Sequence, residues 1–461
     1  MPTLALPKPP VTTRLRSQLE SYLVLQRNPL ELWGKGAYEQ GDLPGRFMGR
    51  EQLMLNTPES IRHVLVDNHE NYARNGATRR VLQPVLGDGL FLAEGKAWRH
   101  QRRTIAPSFV PRTMGLLARH VVAASEATED SLAYTAGKPF ELLPQLQHLA
   151  LTIAGQSMFS LEMSGFGAEL RSMLMRYARQ FARPGVLDLL LPPAIPSFAD
   201  RGRAGFRVEW LRLMDRLIDA RALQPRDGSG PRDLLDLLED ARDPDTGAGF
   251  DRAQLRDEVA TMILAGHETT GVTLFWACWL AARLPALADR VAAEAAEVDL
   301  SAENAAAAMK ALPYTRAFID ETLRLYPPAF LIVRQALGAD RIGDHAISAG
   351  AVISISPWVL HRHHRYWQNP DAFDPARFLP GAAPPERYAY MPFGAGPRIC
   401  VGAQFALTEA VIVLARLLRR FRLAFSGSGA VMPRALVTTQ PDRPVRFILS
   451  PRTVAAARRS R

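Results

Sequence analysis

Cysteine is almost absent: Cys278 and Cys400 are the only two in 461 residues. A disulfide framework is excluded beyond one bridge, and a reducing, cytoplasmic setting is expected. The first residues, MPTLALPKPP, carry no long apolar run, so neither a secretion signal nor a membrane anchor is expected there. No internal repeat or low-complexity tract occurs, and no glycine-rich flavin or nicotinamide motif is found. The net charge of +10 favours an acidic partner, but the arginines are scattered and no nucleic-acid motif with interleaved aromatics accompanies them. Nucleic acid is therefore not an expected partner.

What is present reads as a helix-rich chain with a smaller sheet, expected to form one unit across 1–461. Residues 1–40 read as an N-terminal arm and 452–461 as a disordered basic tail with Arg458, Arg459 and Arg461. The one long apolar stretch, Val259 to Leu280, has His267 and Glu268 near its middle. A carboxylate at that depth is costly in lipid, so a buried helix is expected. Pro231 is expected to open a helix through Leu234, Leu237 and Leu238, and a helix starting near Pro313 must end before Pro327-Pro328. Val352–Ser356 alternates as a strand, while Gln224–Pro231 and Pro380–Pro385 read as loops.

Four segments carry chemistry. In Phe393-Gly394-Ala395-Gly396-Pro397-Arg398-Ile399-Cys400-Val401-Gly402, the cysteine precedes a helical pattern through Phe405, Ala406, Ala410 and Leu414. Free amides and the helix dipole there favour a thiolate, and the glycines permit close backbone approach to a flat ligand. A lone cysteine is otherwise a small buried hydrophobe, the reading that suits Cys278. Glu321 and Arg324 stand three apart on one helical face and can pair. Ala265-Gly266-His267-Glu268-Thr269 places a glycine and a carboxylate inside the apolar helix, two unfavourable choices side by side. Thr269 can bond to the carbonyl one turn earlier or release it. Trp98 and Arg102 lie one turn apart. His361, His363 and His364 also cluster, but flanking arginines repel a cation and a structural role suffices.

Together these segments, in this order, resemble the cytochrome P450 family in its soluble, bacterial-type form. The resemblance spans Trp98 to Gly402. It implies a mainly helical fold with a small β-sheet, with haem b (iron protoporphyrin IX) between the helix carrying Thr269 and the helix after the cysteine loop. By that resemblance Cys400 is the axial ligand of the iron, within a loop that includes Phe393, Gly396 and Gly402. Trp98, Arg102, Arg334 and Arg398 contact the propionates, and Ala265 and Gly266 leave room above the ring. Thr269 and Glu268 deliver protons. Glu321, Arg324 and Arg377, the last in Phe373-Asp374-Pro375-Ala376-Arg377-Phe378, form a structural triad. Ala376 departs from the glutamate that many members carry there.

The implied reaction inserts one oxygen atom of O2 into a hydrophobic small molecule. NAD(P)H electrons arrive through a separate ferredoxin or flavodoxin and its reductase. Docking is expected at Arg102, Arg103, Arg112 and Arg398 of a monomeric protein. The substrate walls by analogy are Leu90, Phe91, Leu92, the stretch from about Phe166 to Leu191, the helix before Gly266, Ala329, Phe330, Leu331, Ile332, Val437 and Thr438, with the region near Phe166 to Arg203, which holds Pro192-Pro193, as a mobile lid. Two other readings stay open: a peroxide-driven or isomerising haem-thiolate enzyme, and a non-catalytic haem-binding sensor.

Overall fold

A computed structural model describes residues 6–14, 16–160, 165–192, 195–224 and 231–452. Pro193, most of the loop before Pro231 and the arginines of the basic tail lie outside the described residues.

The axis of the molecule is the 32-residue helix Arg252–Arg283. Asp251 caps it, accepting from the Gln254 amide, while Gln254 returns a bond to the Asp251 amide. Its second half is buried on every side from Thr270 to Ala281, which is why the sequence reads as an unbroken apolar run. Gly271 lets the helix Leu142–Phe159 cross closely: a Cβ there would come 2.9 Å from Gln147 Cγ and 3.1 Å from its Cα. No single helix among the described residues is long and apolar enough to cross a membrane.

Helices Pro313–Leu325 and Ala403–Arg420 pack with this axis in the largest apolar cluster. Trp276 stacks on Tyr326 with ring centroids 4.0 Å apart and 5° between planes, and its indole N–H bonds to the Thr439 carbonyl at 2.7 Å. The Pro313 helix ends at Leu325, as Pro327-Pro328 requires. A second cluster joins the first half of the axis, through Leu255, Val259 and Ile263, to Phe206 and Trp210 on the helix Phe198–Ala222.

The largest sheet has five strands in the order Leu43–Phe47, Arg50–Met54, Val352–Ile355, Ile332–Ala336, Tyr72–Ala73. Val352–Ile355 runs parallel to Arg50–Met54 and antiparallel to Ile332–Ala336, with Arg334 opposite Ile353. Ile353 and Ile355 are buried, so the alternating segment seeds a third apolar cluster.

One element differs from the sequence expectation. The helix begins at Leu234, not at Pro231, which is exposed and outside any helix. Asp233 is the cap: its carboxylate accepts from the Asp236 amide at 3.0 Å and pairs with buried Arg221 at 2.7 Å. A charged cap with a buried partner outweighs the proline preference.

Candidate active site

The Cys400 loop is a tight backbone structure. Gly394 and Gly396 have φ of 74° and 72°, and a Cβ on Gly396 would overlap the Leu65 carbonyl oxygen. The Cys400 amide donates to the Phe393 carbonyl at 2.9 Å, and the Ile399 amide to that of Gly396 at 3.0 Å. Phe393 packs half-buried on the main core, and Gly402 is the cap of Ala403–Arg420. Cys400 is exposed yet closely surrounded by protein, as expected of a side chain lining a recess. Here the electrostatic expectation needs correction. Burial pushes the thiol up, and the Gly402 amide and the Arg102 guanidinium pull it down without reversing that. Helix position alone does not make this sulfur a thiolate.

The arginines divide into two groups. Arg102 donates to the Ile399 carbonyl at 2.8 Å, which puts its charge beside Cys400. Arg398 bonds to the Ala93 carbonyl at 2.9 Å, pairs with Glu94 and lies 4.4 Å over the Trp98 ring. Arg334 and Arg74 share its neighbourhood. Burial first, then the other guanidiniums, push Arg74 down to about 9, and burial with Arg398 pushes Arg334 down to about 10. Three buried or half-buried guanidiniums thus face one carboxylate, Glu94. Arg74 Nη1 makes no hydrogen bond among the described residues and lies 3.6 Å from Glu94. The sequence reading missed Arg74 and Glu94. Glu94 directly before the helix Gly95–Ile105 was a faint signal; Arg74 had none.

On the axial helix, Ala265 is exposed and Gly266, Glu268 and Thr269 are half-buried, although Ile263, His267 and Thr270 around them are buried. This face therefore borders open space. A Cβ on Gly266 would meet nothing closer than Ala154 at 4.0 Å. Thr269 Oγ1 donates to the Ala265 carbonyl at 2.6 Å, within an unbroken helix. Glu268 accepts from Thr438 Oγ1 at 3.0 Å and from Gln440, and burial raises its carboxyl above the usual range against those two bonds. His267 points elsewhere, toward His148 and Arg171. Burial holds it down at about 4.

Glu321, Arg324 and Arg377 come together. Arg324 meets Glu321 at 2.6 and 2.8 Å with neither side chain exposed, and Arg377 Nε lies 3.4 Å from Glu321. The remaining Arg324 protons go to the carbonyls of His361, Pro370 and Ala372. His361 is part of this scaffold: its ring bonds to the Arg324 carbonyl and accepts from the Met391 amide, and burial holds it at about 3. No cluster of three metal-ligating side chains exists among the described residues.

The expected substrate walls are only partly open. Phe91 and Ala329 are exposed, and Leu90, Leu331, Ile332 and Val437 are half-buried. Leu92 and Phe330 are spent in the core, and Thr438 is buried against Glu268. The docking expectation also changes. Arg398 is buried against Glu94, and Arg103 is paired with Asp243 and Asp245, leaving Arg112 exposed and Arg102 half-buried. A separate groove of about 480 Å³ runs along Gly167–Gln180, lined by Arg171, Arg176 and Arg179, and includes none of the motif residues.

Residues 26–445 match the family described as Cytochrome P450. The chain is 31% identical over 433 residues, 93% of each protein, to cyclooctatin synthase of Streptomyces melanosporofaciens. It is 30% identical to cyclooctat-9-en-7-ol 5-monooxygenase of the same organism, across 87% of this chain and 86% of the other. Cytokinin hydroxylase of Arabidopsis thaliana is 30% identical across 87% of this chain and 79% of its own length. The fold superimposes on the crystal structure of the cytochrome P450DA heme domain with a TM-score of 0.78 over 98% of both chains, at 23% identity. A cysteine loop opening a helix, a glycine-threonine segment on a buried helix and a family match across most of the sequence agree: the chain belongs to the cytochrome P450 family and is one of its haem-iron monooxygenases.

Proposed function

We propose that this protein inserts one oxygen atom of O2 into a hydrophobic small molecule, with haem b as the cofactor that the Cys400 sulfur would hold. The observation that carries the reading is the accessible Cys400 sulfur beside Arg102 and the Gly402 amide, in a recess whose arginines outnumber its carboxylates. The residues fit a haem. Its two propionates supply the negative charge that Arg74, Arg334 and Arg398 lack, and the under-bonded Arg74 Nη1 is a ready donor. The glycines at 394 and 396 hold the loop in a conformation that a side chain would strain.

Bound haem supplies the activation of oxygen and its transfer to carbon. The chain's own residues do the rest. Arg102 and the Gly402 amide stabilise charge on Cys400. Thr269, held on the Ala265 carbonyl, can swing its hydroxyl into the recess and pass a proton. Glu268, its carboxyl raised by burial, holds a proton nearer to neutral pH than a solvated glutamate does. This acid-alcohol pair supports O2-driven over peroxide-driven chemistry. Phe91, Ala329, Leu331 and Ile332 present apolar surface, which favours a lipophilic substrate.

Electrons from NAD(P)H come through a separate ferredoxin or flavodoxin and its reductase, docking beside the cysteine loop through Arg102 and Arg112. The chain acts as a single unit and a cytoplasmic monomer. Reduction by an acidic ferredoxin should slow as ionic strength rises; a rate indifferent to salt contradicts this docking. The activity is tested by screening lipophilic compounds for haem spin-state shifts, then turning over the best one under isotopically labelled dioxygen. One labelled atom in the product is expected. Product lacking the label contradicts a monooxygenase.

A further inference from the structure

Two adjacent carboxylates of the axial helix hold one loop. Glu258 is fully buried, and both its oxygens lie within reach of the Leu90 amide, at 3.0 and 3.1 Å. Asp257 accepts from the Asp88 amide at 2.9 Å. The loop is pressed close against the helix. A Cβ on Gly87, where φ is 57°, would overlap the Asp257 carboxylate; one on Gly89 would overlap the Thr261 hydroxyl and lie 2.7 Å from the Asp257 carbonyl. Thr261 stands one helical turn before Ala265, the exposed residue that borders the recess. Two other helices hold the same loop: Gln101 donates to the Asp88 carbonyl at 2.8 Å, and Arg79 to the Leu92 carbonyl at 3.2 Å.

Glu258 is an expensive residue for this task. Burial raises its carboxyl to about 8, the Leu90 amide offsets that in part, and the neighbouring Asp257 adds to it. No cation pairs with Glu258 among the described residues, and it has no place in the cysteine, threonine or arginine motifs. What its bond fixes is the backbone of Leu90, next to Phe91, whose exposed ring lies under the Arg74 guanidinium at 4.4 Å.

We infer that Glu258 is a positioning residue that clamps the Gly87–Leu92 loop as a fixed wall of the substrate recess, and so holds in place the contact surface that a ligand larger than imidazole needs there. The inference rests on the haem-site reading above. The clamp works through the amide of Leu90, so any side chain with an acceptor at that point suffices, and an apolar one releases the wall.

The test uses the haem-loaded protein and two nitrogen ligands of iron, imidazole and phenylimidazole, titrated by their shift of the haem absorption. Imidazole reaches only the iron; phenylimidazole also needs the wall. Glu258→Leu is expected to leave imidazole affinity within about twofold and to weaken phenylimidazole about tenfold. Glu258→Gln keeps an acceptor and is expected to restore both. Where Glu258→Leu fails to load haem, Gly89→Ala displaces the loop without touching the carboxylate, and the same selective loss is expected. Equal losses of both ligands in the variants, or unchanged phenylimidazole binding, overturn the clamp. Wild-type protein that takes up no haem, or whose haem spectrum ignores imidazole, overturns the haem-site reading instead, and the clamp falls with it.

Discussion

Two buried arginines organise different parts of the molecule, and they are not equally satisfied. Arg324 uses all five N–H donors on Glu321 and three carbonyls, and lies 4.9 Å from the Trp367 ring. Arg203 bonds to Asp188 at 2.7 and 2.8 Å, to Asp200 and to the Phe181 carbonyl, but its Nε has no partner among the described residues. Its surroundings differ as well. Leu187, Leu190, Ile195 and Phe198 are exposed there, Phe198 at 92%. The base of the proposed cofactor site is over-determined, while the region around the helices Val186–Leu190 and Phe198–Ala222 keeps apolar surface in solvent and a donor unpaired. Low local stability follows from such a balance, and it is the balance expected of a part that moves.

Removing each arginine tests the contrast. Arg324→Ala leaves Glu321 charged in the core with only Arg377 at 3.4 Å and the Asp374 amide beside it; a loss of about 3–5 kcal/mol in denaturant unfolding is expected, with haem uptake failing. A smaller pH effect separates the axial helix from both hubs. Because the folded carboxyl of Glu258 is raised to about 8, the native state holds its proton more tightly than the unfolded chain. That contribution is fully present below the unfolded value and fades as pH rises toward 8, by up to roughly 4 kcal/mol. Glu258→Gln should therefore flatten the fall in stability as pH rises from about 4.5 to about 8, measured by unfolding across that range.

Arg203→Ala is expected to cost less, about 2 kcal/mol, since its pairing is already incomplete. Amide exchange should rise in Val186–Leu190 and Phe198–Ala222 before it rises in Pro313–Leu325. Uniform loosening would erase the distinction between the two regions. Thr269→Ala removes one side-chain bond and should change stability by no more than about 1 kcal/mol. Its effect should fall on chemistry: haem and substrate binding persist while product formed per NAD(P)H drops. An unchanged yield contradicts the proton role given to Thr269.

The same contrast explains what the sequence made legible. The cysteine loop, Glu321-Thr322-Leu323-Arg324 and Ala265–Thr269 each lie within ten consecutive residues, so their spacing made them visible locally and the family resemblance they carry supplied their roles. The arginine cluster is assembled from positions 74, 334 and 398 with Glu94, just after one strand, on a second strand, on a short 3-10 helix and at a helix cap. Nothing local marks Arg74, whose partners are set by packing. The Glu258 clamp escaped for the same reason: its acceptor and donor are 168 residues apart. Local rules failed where a tertiary partner outweighed them, as at Asp233, which displaced Pro231 as the helix start, and at Cys400, where burial outweighed the helix terminus.

The central claim is that the Cys400 sulfur binds haem iron. Purified, haem-loaded protein, reduced and exposed to carbon monoxide, should give the Soret band displaced far to the red that a thiolate ligand produces, and Cys400→Ala should abolish it. An undisplaced band in the wild type, or a displaced band that survives in Cys400→Ala, would contradict the claim.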